Sequence, residues 1–232
     1  MIRWIHLDTA TVPDDGGELR LMQRGQEFSI MSGSIELMNS RVSGSEEALA
    51  TLVSARLGDA RAPCVLIGGY GMGFTLRAAL SSLGAKASIT VAELAPEVIA
   101  WARGPMARLT AGCLDHPRVR VVEGDVARLI GAAEAVYDAI LLDVDNGPEG
   151  LSRAANDRIY DRAGLDAARR ALRPGGILAV WSSSPSAPFS RRLRQAGFQV
   201  EEHRVRAGRN GGGARHMIWL AVADQCGDSE IR

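Results

Sequence analysis

Acidic residues stand where short apolar runs end: Glu93 after Ala87 to Ala92, Asp125 after Val119 to Val122, and Asp143 and Asp145 after Tyr137 to Leu142. Carboxylates can accept hydrogen bonds from sugar hydroxyls and amino groups, and can take a proton from a nucleophile. Ahead of them lies Cys64-Val65-Leu66-Ile67-Gly68-Gly69-Tyr70-Gly71-Met72-Gly73-Phe74, an apolar run meeting a glycine-rich turn. Thr75 to Leu80 then continues as a helix, so the segment reads as strand, tight turn and helix start, where backbone can approach a nucleotide. Glu93 follows about 20 residues on, where an acid can accept both ribose hydroxyls. Asp125 can accept from an adenine amino group. Gly68, Gly69, Gly71, Gly73, Glu93, Asp125 and Asp143 form the candidate cofactor-binding set.

The acids also select among cofactors. Carboxylates repel a diphosphate and attract a cation, so the pattern favours a sulfonium nucleoside over a dinucleotide. The turn agrees, because Phe74 stands where G-x-G-x-x-G spacing from Gly69 needs glycine. Structural roles compete with these readings. Glu93 could cap the helix starting at Pro96, Asp125 is a good N-cap for a helix from Val126, and Asp143 and Asp145 could be solvated loop acids. His6, His116, His203 and His216 are isolated in sequence and no metal is expected.

The elements that must carry these residues alternate. Strands are expected at 64–68, 87–93, 119–123, 137–143, 177–181, 198–205 and 216–223. Helices are expected at about 73–83, 96–108, 126–134, 157–172 and 187–196. The pattern predicts a mostly parallel seven-stranded sheet covered on both faces. The last two strands, joined by the glycine-rich 207–213 loop, make an antiparallel edge hairpin. This is the α/β, Rossmann-like class I methyltransferase fold. Residues 1–42 differ: short, partly alternating segments broken by Asp14-Asp15-Gly16-Gly17, Arg24-Gly25 and Ser32-Gly33 predict a small N-terminal β unit of hairpins. Ser43-Gly44-Ser45-Glu46 has the S-x-x-E form of a capping box for a helix to Leu57. The expected division is 1–42 and a 43–232 cofactor-binding domain.

Composition narrows the class. A formal net charge of zero over 232 residues gives no pull towards nucleic acid or an anionic membrane. Lys86 is the only lysine. Cys64, Cys113 and Cys226 form no CxxC pair, the first residues lack the apolar core of a signal peptide, and no run approaches a membrane span. A soluble, cytoplasmic protein is expected.

Val65-Leu66-Ile67-Gly68-Gly69 with its following glycines, Val91-Ala92-Glu93-Leu94, Gly124-Asp125, Tyr137 to Asp143 and Leu172-Arg173-Pro174-Gly175-Gly176 together resemble the spermidine synthase family. Ser32-Gly33-Ser34-Ile35-Glu36-Leu37 is similar to that family's N-terminal β domain. The resemblance implies that Asp143 deprotonates an attacking amine and that Glu93 and Asp125 hold ribose and adenine. It also implies a homodimer. The chain departs from the family's pattern, however. Tyr70-Gly71-Met72 lacks the Asp of the family's glycine motif, which lies near the amine end of decarboxylated S-adenosylmethionine (SAM). Ser45 falls near the Tyr of the family's Tyr-x-Glu segment, with Glu47 keeping the Glu. Asn146 replaces the second Asp of its Asp-Ser-Ser-Asp-Pro motif, and Glu36 stands where Gln is expected.

A SAM-dependent group transferase is therefore expected, acting on a small-molecule acceptor. Because the turn lacks an acid to exclude the methionine carboxylate, methyl transfer from intact SAM leads. Asp143 serves as general base, Asp145 or Glu47 orients the acceptor, and Glu36 and Asn146 contact it. The alternative is aminopropyl transfer from decarboxylated SAM to a diamine, with Glu36, Glu47, Asp143 and Asp145 as an acidic slot. A non-catalytic nucleoside-binding protein is a further reading, and a nicotinamide dehydrogenase a distant one. The 143–157 loop reads as a lid that orders on binding.

Overall fold

The computed structural model describes residues 2–13, 17–58, 62–144, 147–148, 158–208 and 211–224. The central strands of its larger sheet are apolar on both faces. β5 (Cys64–Gly68) and β8 (Tyr137–Leu142) lie centrally, β6 (Ser88–Glu93) and β7 (Val119–Glu123) to one side, and β9 (Leu172–Ser182), β11 (Arg215–Ala223) and β10 (Phe198–Arg206) to the other. The order is β10-β11-β9-β8-β5-β6-β7. Pairings among β5 to β9 are parallel, and β11 runs antiparallel to both β9 and β10. This is the expected seven-stranded α/β architecture with an antiparallel edge hairpin.

Alternation along the strands sends successive side chains to opposite layers. Val65, Ile67, Ile89, Val91, Leu141 and Ile218 pack with α1 (Gly44–Leu57), α2 (Phe74–Ser82) and α3 (Pro96–Arg103). Leu66, Ile140, Leu142, Val180 and Trp219 pack with the opposite layer, namely α5 (Val126–Gly131), α6 (Arg162–Ala171) and α7 (Ala187–Gln195). Both faces are thus covered, which is why the central strands tolerate no polar alternation.

Residues 5–39 form a separate four-stranded antiparallel sheet, β1 (Ile5–Thr11), β2 (Glu18–Arg24), β3 (Glu27–Ser32) and β4 (Ile35–Asn39), in that order. Its inner residues Ala10, Leu21, Phe28 and Ile30 belong to the same buried cluster as α1, α2 and α3. So small a sheet could not bury an apolar face alone. It docks on its own chain, and Trp101 Nε1 of α3 donates to Asp8 Oδ2 of β1 at 2.7 Å.

Several elements depart from expectation for identifiable reasons. The helix expected at 96–108 breaks into α3 and a short α4 (Ala107–Thr110) around Gly104-Pro105, where proline offers no amide to continue the ladder. β9 begins at Leu172 rather than Ile177, because Leu172 pairs with Tyr137 before an irregularity admits Pro174-Gly175-Gly176. α6 begins at Arg162, where Asp161 accepts from the Gly164 amide as N-cap. The capping box is not made: Ser43 gives no side-chain bond to the helix backbone, and its hydroxyl donates to Glu47 Oε1 at 2.9 Å. Among the described residues no helix is long and apolar enough to cross a membrane.

Because both sheets share one buried cluster, Leu21→Ala should destabilise the whole chain by about 2–5 kcal/mol. Chemical denaturation followed by circular dichroism should show one shifted transition. A separate early transition for the small sheet would refute the shared core.

Candidate active site

Ligands of open α/β sheets lie beyond the strands' carboxyl ends at the switch point, here between β5 and β8. The turn after β5 starts at Gly69, whose amide donates to Ala92 O at 2.9 Å with φ +84°. A side chain there would collide with the Asp143 carbonyl oxygen, so only glycine lets the two central strand ends sit this close. Gly69 and Gly71 line a cleft of about 180 Å³ together with Glu93, Asp125 and Asp143. Gly68 and Gly73 do not line it. Gly68 is packed under Val126, where an added Cβ would come within 2.9 Å, and Gly73 faces the Tyr70 ring of its own turn. The roof is the small sheet: Leu19, Ile30, Ser32, Leu37 and Met38 close the cleft from above.

Each acid is held differently. Glu93 is 9% exposed, with Oε2 accepting from the Tyr70 amide and Oε1 from the Ala95 amide, both at 2.9 Å. Burial raises its pKa, while the amides of Ala95, Tyr70, Gly71 and Leu94 act against that rise without cancelling it. Asp125 caps α5, its Oδ1 accepting from the Ala127 amide at 2.8 Å, and it also lines the cleft. The cap and the cleft thus share one carboxylate. Asp143 anchors its amide to Gly68 O at 3.0 Å and accepts at Oδ2 from Thr75 Oγ1 at 2.7 Å. Burial, then the neighbouring Glu46 charge, push Asp143 up to about 7, against the pull of Thr75.

Beside Asp143 the cleft continues into a second, smaller cavity lined by Leu37, Met38, Glu46, Tyr70, Gly71, Met72, Phe74 and Trp181. Glu46, in the first turn of α1, accepts from Ser45 Oγ at 2.6 Å. Burial raises its pKa, the Ser45 bond and its own amide oppose that, and Glu47 adds to the rise. Among the described residues lining the two cavities there is no Lys, Arg or His. The joined space therefore suits a cationic ligand, with a carboxyl near neutrality at its junction.

Not every expected residue arrives. Glu47, expected to orient an acceptor, points to Ser43 and lines neither cavity; one residue along the helix, Glu46 takes the position facing Asp143. Glu36, expected at the acceptor, lines neither cavity. Its carboxylate accepts from Ser29 at 2.7 Å, Asn39 at 3.0 Å and Arg41 at 3.0 Å. Partial burial would raise its pKa, but Ser29, Arg41 and Asn39 outweigh it and hold the group below the ordinary glutamate range. Asp145 and Asn146 lie outside the described residues, as does most of the 143–157 loop. Sequence reasoning missed Glu46 and Thr75. Glu46 was disguised by the capping pattern, and Thr75 had one signal, a hydroxyl at the second position of the helix leaving the glycine turn.

The fold is that of a class I SAM-type α/β protein, with a small N-terminal sheet over the cleft at the strand ends. The spermine/spermidine synthase domain model matches residues 46–189, and the chain belongs to that family. It is 34% identical over 149 residues to polyamine aminopropyltransferase 1 of Streptomyces coelicolor, covering 61% of this chain and 27% of that protein. It is 37% identical over 121 residues to putrescine N-methyltransferase 4 of Nicotiana tabacum, covering 52% of this chain and 30% of that protein. The chain thus spans about a quarter to a third of the length of these curated relatives. The structure of spermidine synthase from Thermotoga maritima aligns over 95% of this chain and 73% of its own with a TM-score of 0.75 at 18% identity, a likeness of fold.

Removing the neighbouring charge by Glu46→Gln should lower the Asp143 pKa below about 7, and Thr75→Val should raise it by removing the bond to its ionised form. Carbon-detected NMR titration of the side-chain carboxyls reads both. An Asp143 titration indifferent to Glu46→Gln would mean that the two groups do not sense each other.

Proposed function

We propose that the chain transfers an aminopropyl group from decarboxylated SAM to a small amine acceptor. The observation that carries this reading is the set of carboxyls around two joined cavities, with no basic side chain among the described lining residues to receive a methionine carboxylate. The order suggested by sequence alone, methyl transfer first, is reversed. The aminopropyltransferase relatives and the family support the same order.

The residues fit such a cofactor. The Gly69–Gly71 backbone leaves room for the nucleoside, Glu93 and Asp125 offer acceptors for ribose and adenine, and Asp143 stands at the junction with the second cavity. The bound cofactor supplies a carbon activated by its sulfonium. The protein's part is to align the acceptor nitrogen with that carbon, exclude water under Leu37 and Met38, and remove a proton. Asp143 takes that proton. Its Oδ2 is steadied by Thr75, and a pKa near 7 makes it a competent base at neutral pH. Met72, Phe74 and Trp181 wall the acceptor cavity with apolar surface, and Glu46 supplies a second carboxyl to an ammonium group.

Methyl transfer to the same kind of amine is the second reading. Tyr70-Gly71-Met72, a glycine turn with no acid, favours it, as does the putrescine N-methyltransferase relative.

Calorimetric titration with SAM and with decarboxylated SAM separates the two. Tighter binding of the decarboxylated form, followed by transfer to putrescine, supports aminopropyl transfer. Preference for intact SAM moves the assignment to methyl transfer, and binding without turnover of any amine leaves a nucleoside-binding protein. Asp143→Asn should lower turnover roughly 10²–10⁴-fold with cofactor binding retained; lost binding would make Asp143 a cofactor residue instead. Because its pKa is raised, Asp143 is neutral and idle as a base in acid, so kcat/KM should rise with pH through about 7. A flat profile from pH 6 to 8 would remove Asp143 from the proton transfer.

A further inference from the structure

His216 reaches this region from the edge hairpin, far in sequence from every acid of the site. Its ring stands edge-on to Trp181, with centroids 4.9 Å apart and planes at 80°. Its Nδ1 lies 2.8 Å from Ser45 Oγ. Ser45 is fully buried, and its hydroxyl donates to Glu46 Oε2 at 2.6 Å. A hydroxyl carries one hydrogen. Once that hydrogen goes to the carboxylate, Oγ can only accept, so His216 Nδ1 must be the donor. The chain is directional, from Nδ1–H to Oγ and from Oγ–H to Glu46, and it selects one histidine tautomer.

The hairpin also clamps the helix turn that bears these groups. The Gly44 amide donates to Ala207 O at 2.6 Å, and a Cβ on Gly44 would come within 2.9 Å of the Gly208 backbone. The first turn of α1 is therefore fixed to β10 and β11 by its backbone and by a side-chain relay.

We propose that Ser45 and His216 are positioning residues, whose hydrogen-bond relay holds the Glu46 carboxylate against the Asp143 end of the acceptor cavity. The role assigned to Glu46 rests on the amine-transfer reading above; the relay itself does not. Three elements bring groups towards His216: Ser45 and, through it, Glu46 from α1; Trp181 from β9; and from β10, His203, on the face shared with Val205, which pairs with His216. Glu201 also lies on that face of β10 and pairs with Arg56 of α1 at 3.4 Å. Burial pulls His216 below the ordinary imidazole range, so the ring is neutral at pH 7 and donates from Nδ1. An unanchored Glu46 would be free to leave the cavity, because no other side chain donates to it in the described bonds.

Nitrogen NMR of the histidine rings tests the relay in the full chain without need of turnover. His216 should show the Nδ1–H tautomer. Glu46→Gln should lower its pKa by removing a carboxylate that favours imidazolium, Ser45→Ala should lower it likewise, and the double variant should add nothing. An Nε2–H tautomer, or a His216 pKa unmoved by Glu46→Gln, overturns the relay. Kinetics then test its use. Ser45→Ala should raise KM for the amine about tenfold, as expected when a charged group loses its hydrogen bond, with KM for the cofactor unchanged. The same change in a Glu46→Gln background should cost nothing further. Additive losses, or losses shared by the cofactor, would show a merely structural role. If the unaltered protein transfers nothing to any amine, the functional reading falls while the NMR result still decides the relay.

Discussion

The site is governed by one electrostatic constraint: carboxyls are gathered at the ends of parallel strands, partly out of water, with no cation among the described residues lining the space. Such a group must find donors or give up its charge. The fold offers donors unequally. Glu93 receives backbone amides on both oxygens and Asp125 one from α5, so these two are fixed acceptors. Asp143 receives a single hydroxyl, and burial followed by the facing Glu46 charge pushes its pKa up to about 7. Similar side chains are thus held in different ways, two by backbone amides and one by a hydroxyl beside another acid. A positively charged ligand would supply the compensation that the protein withholds.

The small sheet makes this economy possible. Leu37 and Met38 line both cavities beside Gly71 and Asp143 and help to shield the carboxyls from water. The sheet is held by shared apolar burial and by the Trp101–Asp8 bond, and it does not deliver its own acid to the cavity. Glu36 is retained by Arg41, Asn39 and Ser29 on β3, β4 and the turn that follows. A carboxylate with a guanidinium within reach remains with it unless something better compensated awaits elsewhere, and the cavity offers only more negative charge.

Much of this was legible in the sequence because it depends on local pattern. The run Val65 to Gly69, the acids after β6, β7 and β8, and the helix-free connection at 207–213 each follow from periodicity and turn chemistry, and the observed sheet order agrees. What stayed hidden depends on tertiary choice. Ser43-Gly44-Ser45-Glu46 fits a capping box, yet the hairpin grips Gly44 and His216 draws Ser45, so Glu46 turns inward and Glu47 takes the cap serine. Nothing near Ser45 encodes His216, which lies 171 positions away. Likewise Glu36 reads as a substrate contact until Arg41 folds back onto it.

The same choice bears on the acid missing from the glycine turn. Tyr70 and Met72 occupy that stretch, but both are buried, and the Tyr70 hydroxyl sits 3.5 Å from Cys113 Sγ, directed into the protein rather than the cleft. Burial raises the Tyr70 pKa far beyond the ordinary phenol range, so it offers no charge to a ligand. The turn itself is therefore electrostatically silent, and the negative field at the reactive end has to come from elsewhere. Glu46 and Asp143, which both line the second cavity, can provide it when ionised, from α1 and the end of β8 instead of from the turn. A site that loses an acid at one position and gains one facing the same space keeps its preference for a cation, because the field depends on where the charges lie and not on which segment carries them. On that argument the case that the altered glycine motif makes for an intact cofactor is weakened only as far as Glu46 stays aimed inward, and Ser45 and His216 are the residues placed to keep it there.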